Sequence, residues 1–360
     1  MAKIIVGLSG GVDSAVAAAL LREQGHEVEA LFMANWDEED EYCSIAADFQ
    51  DAKAICQELG LVLHRVNFAA EYREQVFDYF LAEHRAGRTP NPDVLCNREI
   101  KFGVCWQYAQ RLGASRLATG HYARVIATPE GPELHKAVDG QKDQSYFLHG
   151  LTRTQLDIAL FPLGEWTKTD VRAKARSLGL PVFDKRDSTG ICFIGERPFK
   201  EFLQRFLPSK PGPILTAEGE TVGEHPGLAF FTLGQRSGLA IGGQSGHAEA
   251  PWYVALKDSA RNALIVVQDH EHPLLLQQRV VTGPAHWLMP APTGELRAEV
   301  KLRYRQADQA CRVTTLPQGL LQIDCLEPQR AVTPGQFAVL YQGTRCLGGA
   351  VIDALPNESL

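Results

Sequence analysis

The alternation of short apolar runs with helical segments over the first 120 residues constrains the fold of this chain most strongly. Strands are predicted at Lys3–Leu8, Glu27–Met33, Leu61–Asn67 and Arg116–Gly120. Helical stretches separate them, and two of these end at a glycine, as Val12–Gln24 does. This rhythm is typical of a parallel sheet with helices on both faces. We therefore expect a doubly wound α/β domain that binds ligands at the carboxyl ends of its strands.

The pattern changes near residue 206, where prolines and glycines mark a linker. Beyond it, Glu295–Gln306 alternates with period two, with Tyr304 on the apolar face and Arg303 on the polar face. Similar strand-like runs continue to Ile352. The sequence predicts an α/β doubly wound parallel-sheet domain at 1–205, a small mainly-β central domain at 206–274 and a C-terminal antiparallel β-barrel at 275–360.

Charge is distributed unevenly along the chain. The net charge is −7, yet residues 1–60 carry −9 and residues 165–210 carry +4. Within the second region Lys168, Arg172 and Arg176 recur every four residues on a predicted helix, which is compatible with a solvated face or with phosphate contacts. A polyanion would therefore dock on the second region and avoid the first.

Several features bear on location and metal chemistry. No apolar run approaches the roughly 20 residues that span a bilayer, and the N-terminus does not resemble a signal peptide, so we expect a cytoplasmic protein without membrane contact. The eight cysteines contain no Cys-x-x-Cys pair. We therefore expect no bound zinc or iron–sulfur cluster.

The run Ser-Gly-Gly-Val-Asp-Ser at residues 9–14 stands between the first predicted strand and helix. Glycines let backbone N–H groups turn towards an anion, and the helix N-terminus adds positive potential. Asp13 would hold Mg²⁺ rather than phosphate. A capped glycine-rich turn is the alternative. The run lacks the Gly-Lys of a Walker A loop and resembles the signature of pyrophosphatase-loop enzymes, which cleave ATP to AMP and pyrophosphate.

Two cysteines lie in distinctive surroundings. Cys96 precedes Asn97, a predicted helix N-cap, so the helix N-terminus would lower the pKa of its thiol; Asp93 is close enough to act as a base. Cys192 lies between apolar residues and two glycines, where a buried core cysteine is the simpler interpretation. The residues alone leave both thiols open between structural and catalytic roles.

Taken together and in order, the motifs resemble those of the bacterial tRNA-specific 2-thiouridylases, a family of pyrophosphatase-loop enzymes. The motifs are the loop at 9–14, Asn91-Pro92-Asp93 with Cys96, Gly120-His121-Tyr122, Lys142-Asp143-Gln144-Ser145-Tyr146, Gly190-Ile191-Cys192-Phe193-Ile194-Gly195, Arg303-Tyr304-Arg305-Gln306 and Pro334-Gly335-Gln336. The resemblance implies ATP-dependent 2-thiolation of the wobble uridine (position 34) of tRNA. ATP would adenylylate the C2 oxygen, and a cysteine persulfide would then transfer sulfur as AMP leaves.

The resemblance also implies roles for individual residues. It assigns the persulfide to Cys192, the second catalytic thiol to Cys96 and acid–base chemistry to Asp93. For ATP it implies binding by Gly7, Leu8, Ser9, Gly10, Gly11, Val12, Asp13, Ser14, Met33 and Gly120. For tRNA it implies contacts by Asn91, Pro92, Asp93, His121, Lys142, Asp143, Gln144, Arg303, Tyr304 and Gln336. The implied partners are the anticodon arm of tRNA and either a persulfide-donating sulfur-relay protein or a cysteine desulfurase; the implied cofactors are ATP and Mg²⁺.

Two alternatives share the phosphate loop. One is a pyrophosphatase-loop enzyme that adenylylates a small molecule, such as an amide or argininosuccinate synthetase; turnover without any thiol would favour it. The other is a non-enzymatic nucleotide-binding module, which failure to release AMP with any tRNA would favour.

Overall fold

The N-terminal part of the chain is organised around a parallel sheet. The structure is a computed structural model that describes residues 2–36, 45–187, 199–241 and 250–353. The strands of this part are β1 (Lys3–Gly7), β2 (Glu27–Ala34), β3 (Leu63–Asn67), β4 (Arg116–Thr119), β5 (Ala123–Thr128), β6 (Gly131–Lys136) and β7 (Ala159–Leu160). Five of them form a parallel sheet in the order β3-β2-β1-β4-β7. The predicted parallel α/β sheet is therefore confirmed.

Helices cover both faces of this sheet. They are α1 (Val12–Glu23), α2 (Ile45–Leu59), α3 (Ala69–Tyr72), α4 (Asp78–Arg85), α5 (Pro92–Leu95), α6 (Cys105–Arg111), α7 (Ser145–Leu148), α8 (Arg153–Ile158), α9 (Lys168–Ser177) and α10 (Phe199–Gln204). Two π-helical segments, Arg73–Phe77 and Cys96–Val104, join α3 to α4 and α5 to α6. On β1, Ile5 packs into one hydrophobic cluster while Ile4 and Val6 pack into another. Burial on both faces explains why this strand is a continuous apolar run.

A second, four-stranded sheet follows in the chain. Its strands are β8 (Gly212–Thr216), β9 (Thr221–His225), β10 (Tyr253–Asp258) and β11 (Ala263–Val267), in the order β10-β11-β8-β9. Short 3₁₀ turns occur at Leu228–Phe230, Pro273–Leu275 and Pro317–Gly319. The described residues of this region are thus mainly β, as the sequence predicts.

The C-terminal strands close into a barrel. They are β12 (Leu276–Pro284), β13 (His286–Trp287), β14 (Leu296–Lys301), β15 (Gln309–Thr315), β16 (Leu320–Arg330), β17 (Phe337–Gln342) and β18 (Arg345–Val351). Six run antiparallel in the order β12-β16-β15-β14-β17-β18, and a bridge between Thr282 and Ile352 joins the first to the end of the last. Buried apolar side chains such as Val300, Ile323 and Leu340 fill its interior.

The barrel also receives strands from the N-terminal part. The antiparallel hairpin β5–β6 extends the barrel sheet through the pairing of His135 with Arg345, and the Lys136 amide donates to the Thr344 carbonyl. The predicted strand Glu295–Gln306 is shorter than expected, because β14 ends at Lys301 and Arg305 takes a φ of 63° in the turn that follows. Tyr304 therefore lies in a turn rather than on a strand face.

Candidate nucleotide and thiol site

The loop at residues 9–14 is pre-organised at the junction of β1 and α1. Gly10 has a φ of +77°, and a Cβ there would collide with the carbonyl oxygen of Asp48, so this position requires glycine. The Ser14 hydroxyl accepts from the Ser9 amide at 3.2 Å and donates to the Gly11 carbonyl at 3.1 Å. The helix that starts here directs its unpaired N–H groups towards the loop, an arrangement that suits a phosphate.

The other residues expected to bind ATP surround this loop at the carboxyl ends of β1, β2 and β4. A Cβ on Gly120 would lie 2.7 Å from the Ser14 nitrogen, so the chain after β4 abuts the loop backbone. A Cβ on Gly7 would lie 3.6 Å from the Met33 methyl group. Leu8 and Val12 are buried, and their side chains pack into the hydrophobic core next to the loop.

A charged network that no sequence motif indicates lies beside the loop. Asp13 accepts hydrogen bonds from the Tyr122 hydroxyl at 2.8 Å and from Lys168 Nζ at 2.7 and 2.8 Å. Lys168 Nζ also lies 2.6 Å from Asp187, which pairs in turn with Lys142 at 2.7 Å. Burial alone would raise the pKa of Asp187, but hydrogen bonds from Lys142 and Lys168 hold it below its usual value.

A second lysine, Lys185, contacts the loop backbone. Lys185 Nζ donates to the Gly10 carbonyl at 3.1 Å and to Asp48 and Asp51 at 2.7 and 2.6 Å. Its pKa is raised: burial would lower it, but the two carboxylates outweigh that effect. Lys185 is therefore held as a cation against the outer wall of the loop.

The basic stripe expected on α9 does not form a single solvated face. Thr167 caps this helix as predicted, its hydroxyl accepting from the Asp170 amide. Lys168, however, turns towards the phosphate loop, and Arg172 donates to the carbonyls of Phe183 and Lys185. Arg176 lies over the Phe183 ring at 5.3 Å. Tertiary contacts within the chain thus occupy side chains that helical spacing alone would leave in solvent.

The expected helix start next to Cys96 is wrong. The helix begins earlier, at Pro92, with Asn91 as N-cap accepting from the Asp93 amide at 3.1 Å. Asn97 instead lies inside the continuing helix and donates its side-chain amide to the Phe147 carbonyl at 3.1 Å. Cys96 is fully buried, more than a turn from the true N-terminus, where the helix dipole has little effect. The predicted effect of a helix N-terminus on the Cys96 thiol is therefore wrong.

Cys96 opens the π-helical segment Cys96–Val104. Gln155 of α8 binds this segment: its side-chain amide donates to the carbonyls of Arg98 at 2.7 Å and Phe102 at 3.0 Å. Gln155 is itself fixed by a capping box with Thr152 at the start of α8. Segments of π-helix occur frequently at functional sites, and this one places a buried thiol at its first residue.

Cys192 and the motif at residues 190–195 lie outside the described residues. Asp187 is the last described residue before them. The pairing of Cys96 with Cys192 therefore stays a prediction.

His121, expected at the target base, joins the Cys96 helix to the end of β4. Its Nδ1 lies 2.7 Å from Thr119 Oγ1, and its Nε2 lies 3.4 Å from Lys101 Nζ. Because a lysine only donates, Nε2 accepts and the ring proton lies on Nδ1. Burial and the Lys101 charge hold the pKa of His121 well below its usual value, so the ring is neutral.

The segment at residues 142–144 is mostly engaged within the chain. Asp143 is only 4% exposed and accepts from the Ala137 amide and from the amide and hydroxyl of Ser145. A direct contact between its carboxylate and tRNA does not fit this arrangement; Asp143 shapes the loop from inside. Gln144 Oε1 accepts from the Tyr122 amide at 3.0 Å, while Lys142 pairs with Asp187.

The barrel residues expected to contact tRNA divide into exposed and bridging side chains. Arg303 is exposed, whereas the half-buried Tyr304 ring lies 4.3 Å from the Phe147 ring. Gln336 donates its side-chain amide to the Thr89 carbonyl at 2.8 Å. Tyr304 and Gln336 thus connect the barrel to the N-terminal domain. The contact of Gln336 is with Thr89, which lies two residues before Asn91.

Within the described ranges, no three histidine, cysteine, aspartate or glutamate side chains cluster as a metal site. Asp13 is the one carboxylate of the phosphate loop, and both of its oxygens accept hydrogen bonds from Lys168. No helix in these ranges is long and apolar enough to cross a membrane.

Comparison with known proteins covers nearly the whole chain. Residues 2–196 match the family described as the tRNA methyl transferase HUP domain. Residues 200–268 match its PRC-barrel domain, and residues 277–352 match the aminomethyltransferase beta-barrel domain. Among solved structures, the U34-tRNA thiolase NcsA from Methanococcus maripaludis is 20% identical with a TM-score of 0.36, covering 57% of this chain and 63% of that one.

Curated relatives are much closer in sequence. The tRNA-specific 2-thiouridylase MnmA of Chromohalobacter salexigens is 55% identical over 99% of this chain and 94% of its own. That of Proteus mirabilis is 54% identical over 99% of this chain and 98% of its own, and that of Escherichia coli O1:K1 / APEC is 53% identical over 98% and 96%. With identity at this level along almost its entire length, the chain belongs to the tRNA-specific 2-thiouridylase MnmA family.

Proposed function

We propose that this protein is an ATP-dependent sulfurtransferase that converts the wobble uridine of tRNA to 2-thiouridine. The relatives are named tRNA-specific 2-thiouridylases. The observation that carries the proposal is the meeting of two elements at the end of β4. Gly120 abuts the phosphate loop, and the adjoining His121 contacts Lys101 of the helix that bears Cys96. The end of β4 thus links the proposed nucleotide loop to the helix that carries the buried Cys96 thiol.

The chemistry explains why ATP is needed. The C2 oxygen of uracil is a poor leaving group as hydroxide. When that oxygen attacks the α-phosphorus of ATP, pyrophosphate leaves and the oxygen becomes part of AMP, which is a good leaving group. The loop at residues 9–14 would hold the phosphates through backbone N–H groups, and the base would leave the anticodon stack to reach it.

Sulfur transfer requires two thiols. The terminal sulfur of a Cys192 persulfide attacks C2 and expels AMP, which leaves a disulfide between the base and Cys192. The Cys96 thiolate then attacks Cys192 Sγ, so 2-thiouridine is released and a Cys96–Cys192 disulfide remains. An external reductant restores both thiols. Release of hydrosulfide by Cys96 before attack on C2 gives the same disulfide. Asp93 would act as the general acid or base in these steps.

Mg²⁺ would enter with the nucleotide. It prefers one or two carboxylates together with phosphate oxygens and water, and Asp13 can supply the carboxylate. The Asp13 oxygens accept hydrogen bonds from Lys168 and Tyr122, and a metal ion would compete with these donors. Bound there, Mg²⁺ would neutralise charge on the phosphates.

For tRNA we propose contacts through Arg303, His121 and the segment Asn91–Asp93, with Lys142 and Gln144 nearby. The substrate element is the anticodon arm, and a sulfur-relay protein or a cysteine desulfurase supplies the persulfide. Such an enzyme would act in the cytoplasm. The three domains would divide these tasks at about the boundaries expected from the sequence, with nucleotide and thiols in 1–205 and RNA contacts shared with 275–360.

Mass spectrometry of tRNA tests the proposal. Unmodified tRNA is incubated with the protein, ATP, Mg²⁺ and a persulfide donor, and digested nucleosides are analysed for 2-thiouridine together with AMP release. We expect one AMP per thiolated uridine. Because the matching family is described as a methyl transferase, S-adenosylmethionine is supplied in a parallel reaction. Methylated uridine without AMP, or AMP release driven by a small amide acceptor instead of tRNA, would contradict the proposal.

The cysteine roles are tested by two single variants. Cys192→Ser should lose the protein-bound persulfide, whereas Cys96→Ser should accept it but fail to complete transfer. Both should bind ATP, since neither lies in the phosphate loop. Single-turnover thiolation followed by non-reducing peptide mapping reports the disulfide. Full thiolation by Cys96→Ser would remove the second thiol from the mechanism.

A further inference from the structure

Lys168 stands at the mouth of the phosphate loop. It is the first residue of α9, where Thr167 caps the helix and the Lys168 amide donates to Asp139 at 2.9 Å, so its backbone is fixed. Its side chain is only 12% exposed, and its Nζ contacts both oxygens of Asp13 and one of Asp187. A lysine is thus held mostly out of solvent directly beside the expected position of the triphosphate.

The neighbouring cations are differently committed. Lys185 binds the Gly10 carbonyl together with Asp48 and Asp51, on the outer wall of the loop. Lys142 and Arg172 bind Asp187 instead of the loop carboxylate. Lys168, by contrast, is bonded to Asp13, the carboxylate of the loop.

An exchange of anionic partners by Lys168 would cost little electrostatic free energy. If its ammonium turns from Asp13 to a phosphate oxygen, one anion replaces another within the reach of a flexible side chain. Asp187 keeps its ion pairs with Lys142 and Arg172, so the Asp187 carboxylate still has cationic partners. Asp13 keeps the Tyr122 hydroxyl and gains freedom to meet a metal ion carried by the nucleotide.

We propose that Lys168 is a direct ligand of the ATP phosphates, and that it reaches them by exchanging Asp13 for the nucleotide. This deepens the proposed function, on which the identity of the nucleotide rests. The Lys168–Asp13 ion pair then gives way to a Lys168–phosphate contact when ATP binds. It follows that Lys168 recognises the phosphates and not the adenosine.

Calorimetric titration of the full chain with ATP and with adenosine, without tRNA or sulfur donor, tests this inference. Lys168→Met should weaken ATP binding by about tenfold or more, the usual worth of a hydrogen bond to a charged group, and leave adenosine affinity unchanged. Lys174→Met is the matched control, because Lys174 lies on the same helix but pairs with Glu23. It should bind both ligands as the unchanged protein does.

Several results would overturn the inference. They are an unchanged ATP affinity in Lys168→Met, or a parent protein that binds ATP no more tightly than adenosine. If Lys168→Met loses both ligands through misfolding, the substitution is repeated in an Asp13→Asn background, where the ion pair is absent. Equal ATP affinity of Asp13→Asn with and without Lys168→Met would show that the lysine serves only Asp13. Tight ATP binding without thiolation would refute the proposed function and leave Lys168 in place.

Discussion

Replacement of Gly120 by alanine tests whether the chain after β4 sets the position of the phosphate loop. The added Cβ would lie 2.7 Å from the Ser14 nitrogen and 2.8 Å from the Asp13 carbonyl carbon. Both are backbone atoms, so no side chain can swing away. The φ of Gly120 is not positive, so alanine is not strained by the backbone conformation at this position. Any effect of Gly120→Ala on ATP binding or activity would therefore come from the clash.

The magnitude follows from ordinary contact distances. The loop and β4 must separate by about 0.3 to 0.7 Å to restore them, a small shift against rigid backbone that costs about 1–3 kcal/mol. The displaced atoms belong to the first turn of α1, whose N–H groups would hold the phosphates. Because a misplacement of about 1 Å costs about a hundredfold in rate, we expect Gly120→Ala to lower AMP formation by about tenfold or more.

The assay combines ATP affinity by calorimetry with tRNA-dependent AMP release. Gly140→Ala is the control, since a Cβ there meets nothing within 4 Å and its φ is not positive. It should retain the activity of the parent protein. Parent-level ATP affinity and AMP release in Gly120→Ala would refute the idea that this close approach positions the loop.

Three further outcomes are expected. Burial lowers the pKa of His84 and of His149 to about 4, so the folded chain resists protons that the unfolded chain takes up near pH 6.5. The free energy of unfolding should therefore fall by about 1.4 kcal/mol per histidine for each pH unit between about 6.5 and 4, as urea titrations would show, and His149→Gln should remove its share of that slope. Gln155→Ala should speed alkylation of the buried Cys96, because the π-helical segment loses its external donor; an unchanged alkylation rate would mean that the segment holds itself. Asp13→Asn should abolish AMP release with an unchanged circular dichroism spectrum, and normal release would exclude Asp13 from catalysis.

The sequence predicts those parts of the fold that depend on local pattern. Strand β1 and helix α1 were expected almost at their observed bounds, because burial on both sheet faces demands an apolar run and glycines end helices. The glycine loop between them was readable for the same reason. Asn91 with Pro92 also carried the signal for a helix start, an N-cap followed by proline at the first position. The capping preference of Asn97 taken alone predicts a start there, but Asn91 followed by proline is the stronger signal.

Contacts between distant segments left no such signal. Asp13, Tyr122, Lys168 and Asp187 form one network, yet they lie on four separate segments and share no spacing. Helical periodicity predicts a basic stripe that includes Lys168 but leaves open whether it meets solvent or phosphate, because periodicity describes one helix and not what that helix faces. Likewise, nothing local indicates that Gln336 donates to Thr89 or that the hairpin β5–β6 extends the barrel.

The contacts between the barrel and the segment at residues 89–91 limit how this protein can be divided or rearranged. The Thr89 amide donates to the Pro334 carbonyl, and a Cβ on Gly335 would lie 3.0 Å from the Thr89 backbone. The barrel therefore supplies backbone partners to the stretch that leads into Asn91. A fragment ending before residue 275 would expose these polar groups and the edge of β6 together, inviting aggregation. The last quarter of the chain thus completes the hydrogen bonding of two segments of the N-terminal part, and exchanging it for another domain would leave the Thr89 backbone and the edge of β6 without their partners.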